Sequence, residues 1–161
     1  MTTRHEGTES PESALTRFFA RYSPEVATVG REALDAMRAY LPGAVQLVYD
    51  NYNALVIAFG PTERTSEVVL SLALYPRWVN LFFAHGARLP DPEKILKGGG
   101  KIVRSIRLSA AADIKRPEVL ALIDAALEET GWTLNRAAKG RLVIKLVSAK
   151  QRPRRPSSGG A

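Results

Sequence analysis

The chain has 161 residues, 45% hydrophobic and 24% charged with 12 Gly and 10 Pro, which suits one soluble domain with a real core. Composition excludes collagen-like, coiled-coil and fully disordered classes, and zero cysteines excludes disulfide frameworks, thiol catalysis, thiolate zinc sites and iron–sulfur ligation. The net charge of +7 is regional: residues 1–129 hold 15 Lys and Arg against all 16 acids, whereas residues 130–161 hold eight cations and no acid.

Residues 1–9 lack periodicity and read as a disordered N-terminus; the polar run with Glu6 and Glu9 is not a secretory signal, so a cytoplasmic location is expected. From Pro11 the apolar residues Ala14, Leu15, Phe18 and Phe19 recur at helical steps as far as Tyr22. Ser23-Pro24-Glu25 then reads as an N-cap, a first-turn proline and a favourable acid. Val26, Val29, Ala33, Met37 and Tyr40 continue that second helix, which Pro42-Gly43 ends. Gly30 in its interior costs about 1 kcal/mol relative to Ala and marks a close contact.

Strand patterns come next. Val45–Tyr49 alternates, Asn51-Tyr52-Asn53 is turn chemistry, and Ala54–Phe59 is apolar enough for a central strand. Residues 60–65 form a loop. Glu67–Tyr75 places Val68, Leu70, Leu72 and Leu74 on one face. Pro76-Arg77 turns the chain into Trp78–Ala84, where Trp78 and Phe82 alternate inward. Such short connections imply an antiparallel meander. Gly86–Gly100 is irregular, with one helical turn at Asp91-Pro92, and Lys101–Leu108 reads as a fifth strand. Pro117–Thr130 is the clearest helix, with an apolar stripe from Val119 to Leu127 and Gly131 as its C-terminal cap. Arg141–Val147 alternates with Leu142, Ile144 and Leu146 inward. The expected fold class is α+β: an antiparallel sheet of five to six strands with helices on one face. A single domain over residues 10–149 and a disordered basic tail over 150–161 complete the organisation. The longest apolar stretches are too short to span a bilayer, so no membrane partner is expected.

The run Tyr75-Pro76-Arg77-Trp78-Val79-Asn80-Leu81-Phe82-Phe83, then Gly86 to Pro92, Leu96 to Lys101 and Arg104-Ser105-Ile106-Arg107-Leu108, resembles the YdhG-like family, a domain of unknown function. The resemblance covers roughly Phe18 to Leu127. It implies a compact α+β domain around an antiparallel sheet. One branch is described as a frataxin-like iron chaperone, which makes iron binding a third functional reading. Such binding uses a crowded acidic helix face, and the second helix offers Glu25, Glu32 and Asp35 interleaved with Arg31 and Arg38.

Three candidate sites emerge. Gly98, Gly99, Gly100 and Lys101 with Arg104 and Arg107 combine glycines, whose N–H groups can converge on an anion, with cations. The same run also reads as a glycine-rich turn into an edge strand blunted by charge. It lacks phosphate-loop spacing, with Ile102 where Ser or Thr would bind magnesium. Tyr75, Trp78 and Asp91 form a second candidate, an aromatic wall beside that loop; core packing for Trp78 and helix capping by Asp91 are the plainer readings. The third is a basic nucleic-acid surface of Arg136, Lys139, Lys150, Arg152, Arg154 and Arg155, short of aromatics for base stacking. His85 has no carboxylate or cysteine cluster near it in sequence, and no GxSxG elbow exists. No catalytic, metal or cofactor constellation is therefore expected. The leading reading is non-enzymatic binding of a small anionic ligand or protein partner through the Gly86–Lys101 loop, by a monomer or homodimer. Weak, non-specific nucleic-acid association is the alternative.

Overall fold

A computed structural model describes residues 9–157. The expectation for residues 1–8 and the last four residues lies outside the described residues. Helices α1 (Pro11–Phe19) and α2 (Pro24–Tyr40) both start on serine N-caps. The hydroxyls of Ser10 and Ser23 accept from the amides of Ser13 and Val26, and a proline follows each cap where its missing N–H costs nothing. Strands β1 (Val45–Asp50), β2 (Leu55–Gly60), β3 (Leu70–Leu74), β4 (Val79–Phe83) and β5 (Arg104–Leu108) form an antiparallel meander. Helix α3 (Pro117–Thr130) ends on Gly131 at φ 72°, a left-handed position suited to glycine, and leads to β6 (Arg141–Val147).

The fold is α+β, with a six-stranded sheet in the order β5-β4-β3-β2-β1-β6. It departs from a purely antiparallel sheet at one edge. Strand β6 runs parallel to β1, so the α3 connection crosses from one edge of the sheet to the other. A parallel neighbour is possible here because this connection is long enough to reverse the chain twice.

All three helices pack on one face of the sheet. Their core residues join a single cluster with Val48, Ile57, Leu72, Leu81 and Ile106, which lie opposite one another across five strands. Each fully buried side chain of this size contributes about 1.5–3 kcal/mol. Leu47, Ala58 and Ala73, on the other face, are buried but stand outside that cluster. Gly30 is the close contact its position suggests: a Cβ there would lie 2.7 Å from Leu74 Cδ2.

Four local expectations are corrected. In β4 the inward residues are Val79, Leu81 and Phe83, so Trp78 and Phe82 belong to the other frame. A one-residue shift moves a whole strand's set to the other face. Strand β5 begins at Arg104, leaving Lys101 in the preceding loop. In β6 the register slips opposite Val48/Tyr49, which leaves Leu146 46% exposed rather than inward. The bulge adds one residue to the strand and reverses the sides of the residues beyond it.

The fourth correction concerns the basic C-terminal segment, expected to be disordered. Residues 148–155 lie across the β1–β2 turn and return to α1. Ser148 and Arg152 donate backbone N–H bonds to the carbonyls of Asp50 and Tyr52. Gln151 Nε2 donates to Asp50 O at 2.9 Å, and Arg155 reaches the carbonyls of Ala20 and Arg21. Arg154 is buried, 4% exposed, beside the equally buried Asp50.

Candidate functional site

The β1–β2 and β3–β4 turns lie at the same end of the sheet, because successive hairpin strands alternate in direction. Tyr75 N–H donates to Trp78 O at 2.8 Å and closes the Pro76-Arg77 turn. Proline pre-sets the backbone angle there and gives up a hydrogen bond that the turn does not need. The C-terminal segment passes over the neighbouring turn, at Asn51 to Asn53, and so forms the facing wall of a cleft of about 560 Å³. One wall is Tyr75, Pro76, Arg77 and Trp78; the other is Arg152, Pro153, Arg155 and Pro156, with Asn53 and Ser157 completing it.

A buried polar lock holds the second wall in place. Arg154 Nη2 donates to Asp50 Oδ1 at 2.8 Å and to Asn51 O at 2.5 Å, with its guanidinium 5.7 Å from the Tyr22 ring centre. Arg21 reaches the other carboxylate oxygen of Asp50 at 3.4 Å and Gln151 Oε1 at 2.6 Å. Tyr22 is the floor beneath. Its hydroxyl donates to Leu74 O and accepts from Leu55 N, and burial pushes its ionisation up to about 12 against the nearby Arg154 charge. Burial also raises the ionisation of Tyr75.

Electrostatically the cleft is one-sided. Arg77, Arg152 and Arg155 line it, and among the described residues no carboxylate does. Asp50, the acid of the lock, is shared by Arg154 and Arg21, while Glu25 lies in a neighbouring hollow that Arg77 and Trp78 also line. Arg155 spends two donor nitrogens on backbone carbonyls and Arg152 lies over Tyr52 at 5.7 Å. A guanidinium carries five N–H donors, so both keep capacity for an anion. Aromatic surface adjoins this charge. The Tyr75 and Trp78 rings stand 5.9 Å apart at 37°, and the Arg107 guanidinium lies 4.2 Å from the Trp78 ring centre. Arg107 lines a neighbouring hollow with Trp78 and Glu25, and not the cleft itself.

The three sequence candidates are therefore redistributed. Tyr75 and Trp78 join Arg152 and Arg155, which the sequence alone assigns to a different site. Arg77 was missed, although its place in a turn between two aromatics was a usable signal. The glycine-rich run is elsewhere, at the start of β5, whereas Trp78 adjoins its end. Four residue steps of about 3.3 Å separate those ends, roughly 13 Å. Arg104 and Arg107 leave β5 on opposite faces, three residues apart.

Within the glycine-rich loop the polar groups mostly satisfy one another. Arg104 Nη1 donates to Gly100 O at 2.6 Å and Val103 O at 2.8 Å. Lys97 and Ser105 exchange two backbone bonds. Asp91 caps no helix; its carboxylate accepts from the Ile95 and Leu96 amides and fixes the loop. Lys101 is exposed and belongs to no strand. The basic surface is also divided. Arg136 and Lys139 precede β6 while Lys150 and Arg152 come after it, and seven residues of strand put about 20 Å between them. Arg154 is buried and faces no solvent partner.

His85 lines a separate hollow of about 520 Å³ with Glu67, Glu129 and Trp132, where Arg88 pairs with Glu129 at 3.5 Å. Among the described residues no group of three His, Cys, Asp or Glu side chains could hold a metal ion. No helix among them is long and apolar enough to cross a membrane. Compared with protein-family models, curated proteins and solved structures, the chain has no significant match.

Proposed function

We propose that this is a YdhG-like, non-enzymatic cytoplasmic protein that binds a small anionic ligand in the cleft between the β3–β4 turn and the C-terminal segment. The observation that carries this reading is three cleft arginines with no carboxylate among the described lining residues. Unpaired guanidiniums favour carboxylate and phosphate ligands, which they can grip with two parallel N–H bonds. The cleft volume of about 560 Å³ sits within the roughly 300–1,000 Å³ of small-ligand sites. The self-bonded glycine loop is a weaker place for the same ligand.

The test is a thermal-shift screen of phosphates, pyrophosphate, nucleotides and carboxylates. A ligand at one hundred times its Kd stabilises the folded state by about 2.7 kcal/mol. Arg77→Ala and Arg152→Ala should each abolish the shift, whereas Lys101→Ala should preserve it. A flat screen, or a hit that only Lys101→Ala removes, overturns the assignment.

Nucleic-acid association is the second reading, favoured by Arg152 and Arg155 sharing an open cleft with Tyr75 and Trp78. It predicts binding of generic single strands that weakens steeply with salt. Substituting Arg152 and Arg155 tests it without removing the buried Arg154. An unchanged salt slope would sink it.

A further inference from the structure

We infer that the anion the cleft takes is a nucleoside phosphate; this rests on the anionic-ligand reading above and specifies it. The cleft has two chemically distinct parts. Arg77, Arg152 and Arg155 supply positive charge, while Tyr75 and Trp78 supply flat aromatic surface. Inorganic phosphate would use only the first part and a neutral aromatic only the second. One ligand that combines a planar ring with a phosphate satisfies both.

Trp78 is placed for stacking. It is partly exposed, and it lines both the cleft and the hollow that contains Arg107. The Arg107 guanidinium, 4.2 Å from the indole centre, restricts how the ring can turn. Such cation contact is electrostatically favourable and leaves the indole pre-positioned. Base–aromatic stacking tolerates any base, since every base has a π-face. Asn53, at the rim, adds an amide that can donate to and accept from a base edge.

The distribution of charge favours a single nucleotide over a strand. A strand-binding groove tracks the backbone with cations along its length. Here the cleft cations form one group, and Arg136 and Lys139 lie beyond the far end of β6.

The experiment uses the full chain carrying Trp132→Phe, which leaves Trp78 as the sole indole. ADP, pyrophosphate, adenosine and a ten-nucleotide oligothymidylate are titrated, with fluorescence and calorimetry as readouts. ADP should quench Trp78 saturably and bind at least about tenfold tighter than pyrophosphate or adenosine, as one stacked base contributes. Trp78→Leu should cost ADP that advantage and leave pyrophosphate unchanged, while Trp78→Phe should restore most of it. Far-ultraviolet circular dichroism establishes that each variant is folded.

Pyrophosphate binding equal to ADP, unaffected by Trp78→Leu, overturns the nucleotide inference and leaves the anion reading standing. No binding of ADP or pyrophosphate overturns the nucleotide inference, and a screen that is flat for carboxylates as well overturns both. Oligothymidylate binding without ADP binding also overturns the inference, in favour of the strand reading.

Discussion

Arg154 Nη2 and Asp50 Oδ1 meet at 2.8 Å although 104 positions separate them in the chain, and both side chains are at least 98% buried. Among the described residues Arg154 Nε finds no partner, which leaves one donor of the guanidinium unsatisfied inside the fold. Desolvating two charges is costly, and mutual attraction offsets that cost only while both are present. Asp50→Asn should therefore destabilise by about 3–5 kcal/mol, because it strands a buried cation. Arg154→Met should cost a similar amount. The double variant should recover at least about 1.5 kcal/mol of their sum, as measured by urea denaturation of all four proteins. Strictly additive losses would show that the pair has no mutual dependence.

The same contact makes the C-terminal segment part of the domain. Removing residues 150–161 takes away Gln151, Arg154 and Arg155 together and leaves Asp50 only the longer Arg21 contact. A loss of about 3–5 kcal/mol corresponds to roughly 6–20 °C in Tm for a domain of this size. Calorimetry that finds an unchanged Tm would restore the picture of a solvated tail.

Glycine positions in the long loop should divide sharply. At Gly86 a Cβ would stand 2.5 Å from Arg104 Cβ and 2.9 Å from Arg104 N, which is backbone and cannot swing aside. Gly86→Ala should destabilise by about 1–3 kcal/mol through overpacking. At Gly99 a Cβ meets nothing within 4 Å. Gly99→Ala should be neutral or stabilise by up to about 1 kcal/mol through reduced unfolded-state entropy. Chemical denaturation of both variants checks the contrast. Equal effects would mean that the Gly86–Arg104 approach is not close in solution.

Tyr22 and Tyr40 should titrate late, and Tyr75 is also raised by burial. Burial raises Tyr22 to about 12, and a 2.6 Å hydrogen bond to Asp124 raises Tyr40 to about 12, both from 10.0. The folded state favours the protonated phenols. Their contribution to stability is thus complete below pH 10 and is lost as pH rises from about 10 to about 12. Absorbance titration at alkaline pH should resolve a late class of phenols. Tyr40→Phe should remove part of it without shifting Tyr22. Titration of every phenol near pH 10 would contradict both the burial of Tyr22 and the Tyr40–Asp124 hydrogen bond.

Much of the fold was legible because its signals are local. Ser23-Pro24-Glu25 announces a helix start, Gly131 an end, and Leu70, Leu72 and Leu74 a strand face. Trp78 and Phe82 misled, since a large aromatic beside a turn looks like the first inward residue of β4. The site was harder. Proline and arginine in residues 150–156 satisfy every local criterion for a solvated tail, and nothing nearby reveals that Arg154 is buried. One clue lay at the other end of the contact. Asp50 closes an apolar strand, and a buried carboxylate there requires a cation from somewhere.

Strand β6 also fixes an order of events during synthesis. Its neighbour β1 leaves the ribosome first, yet the partner that covers its outer edge is made only after β2 to β5 and helix α3. At about 5–20 residues per second, β1 waits about 5–20 s for β6. Throughout that interval the nascent sheet ends in an unpaired β1, and Asp50 has yet to meet Arg154. Such an open edge invites pairing with a neighbouring chain. The arrival of β6 and Arg154 therefore closes both the sheet edge and the ion pair, and any delay there exposes this protein to association at β1.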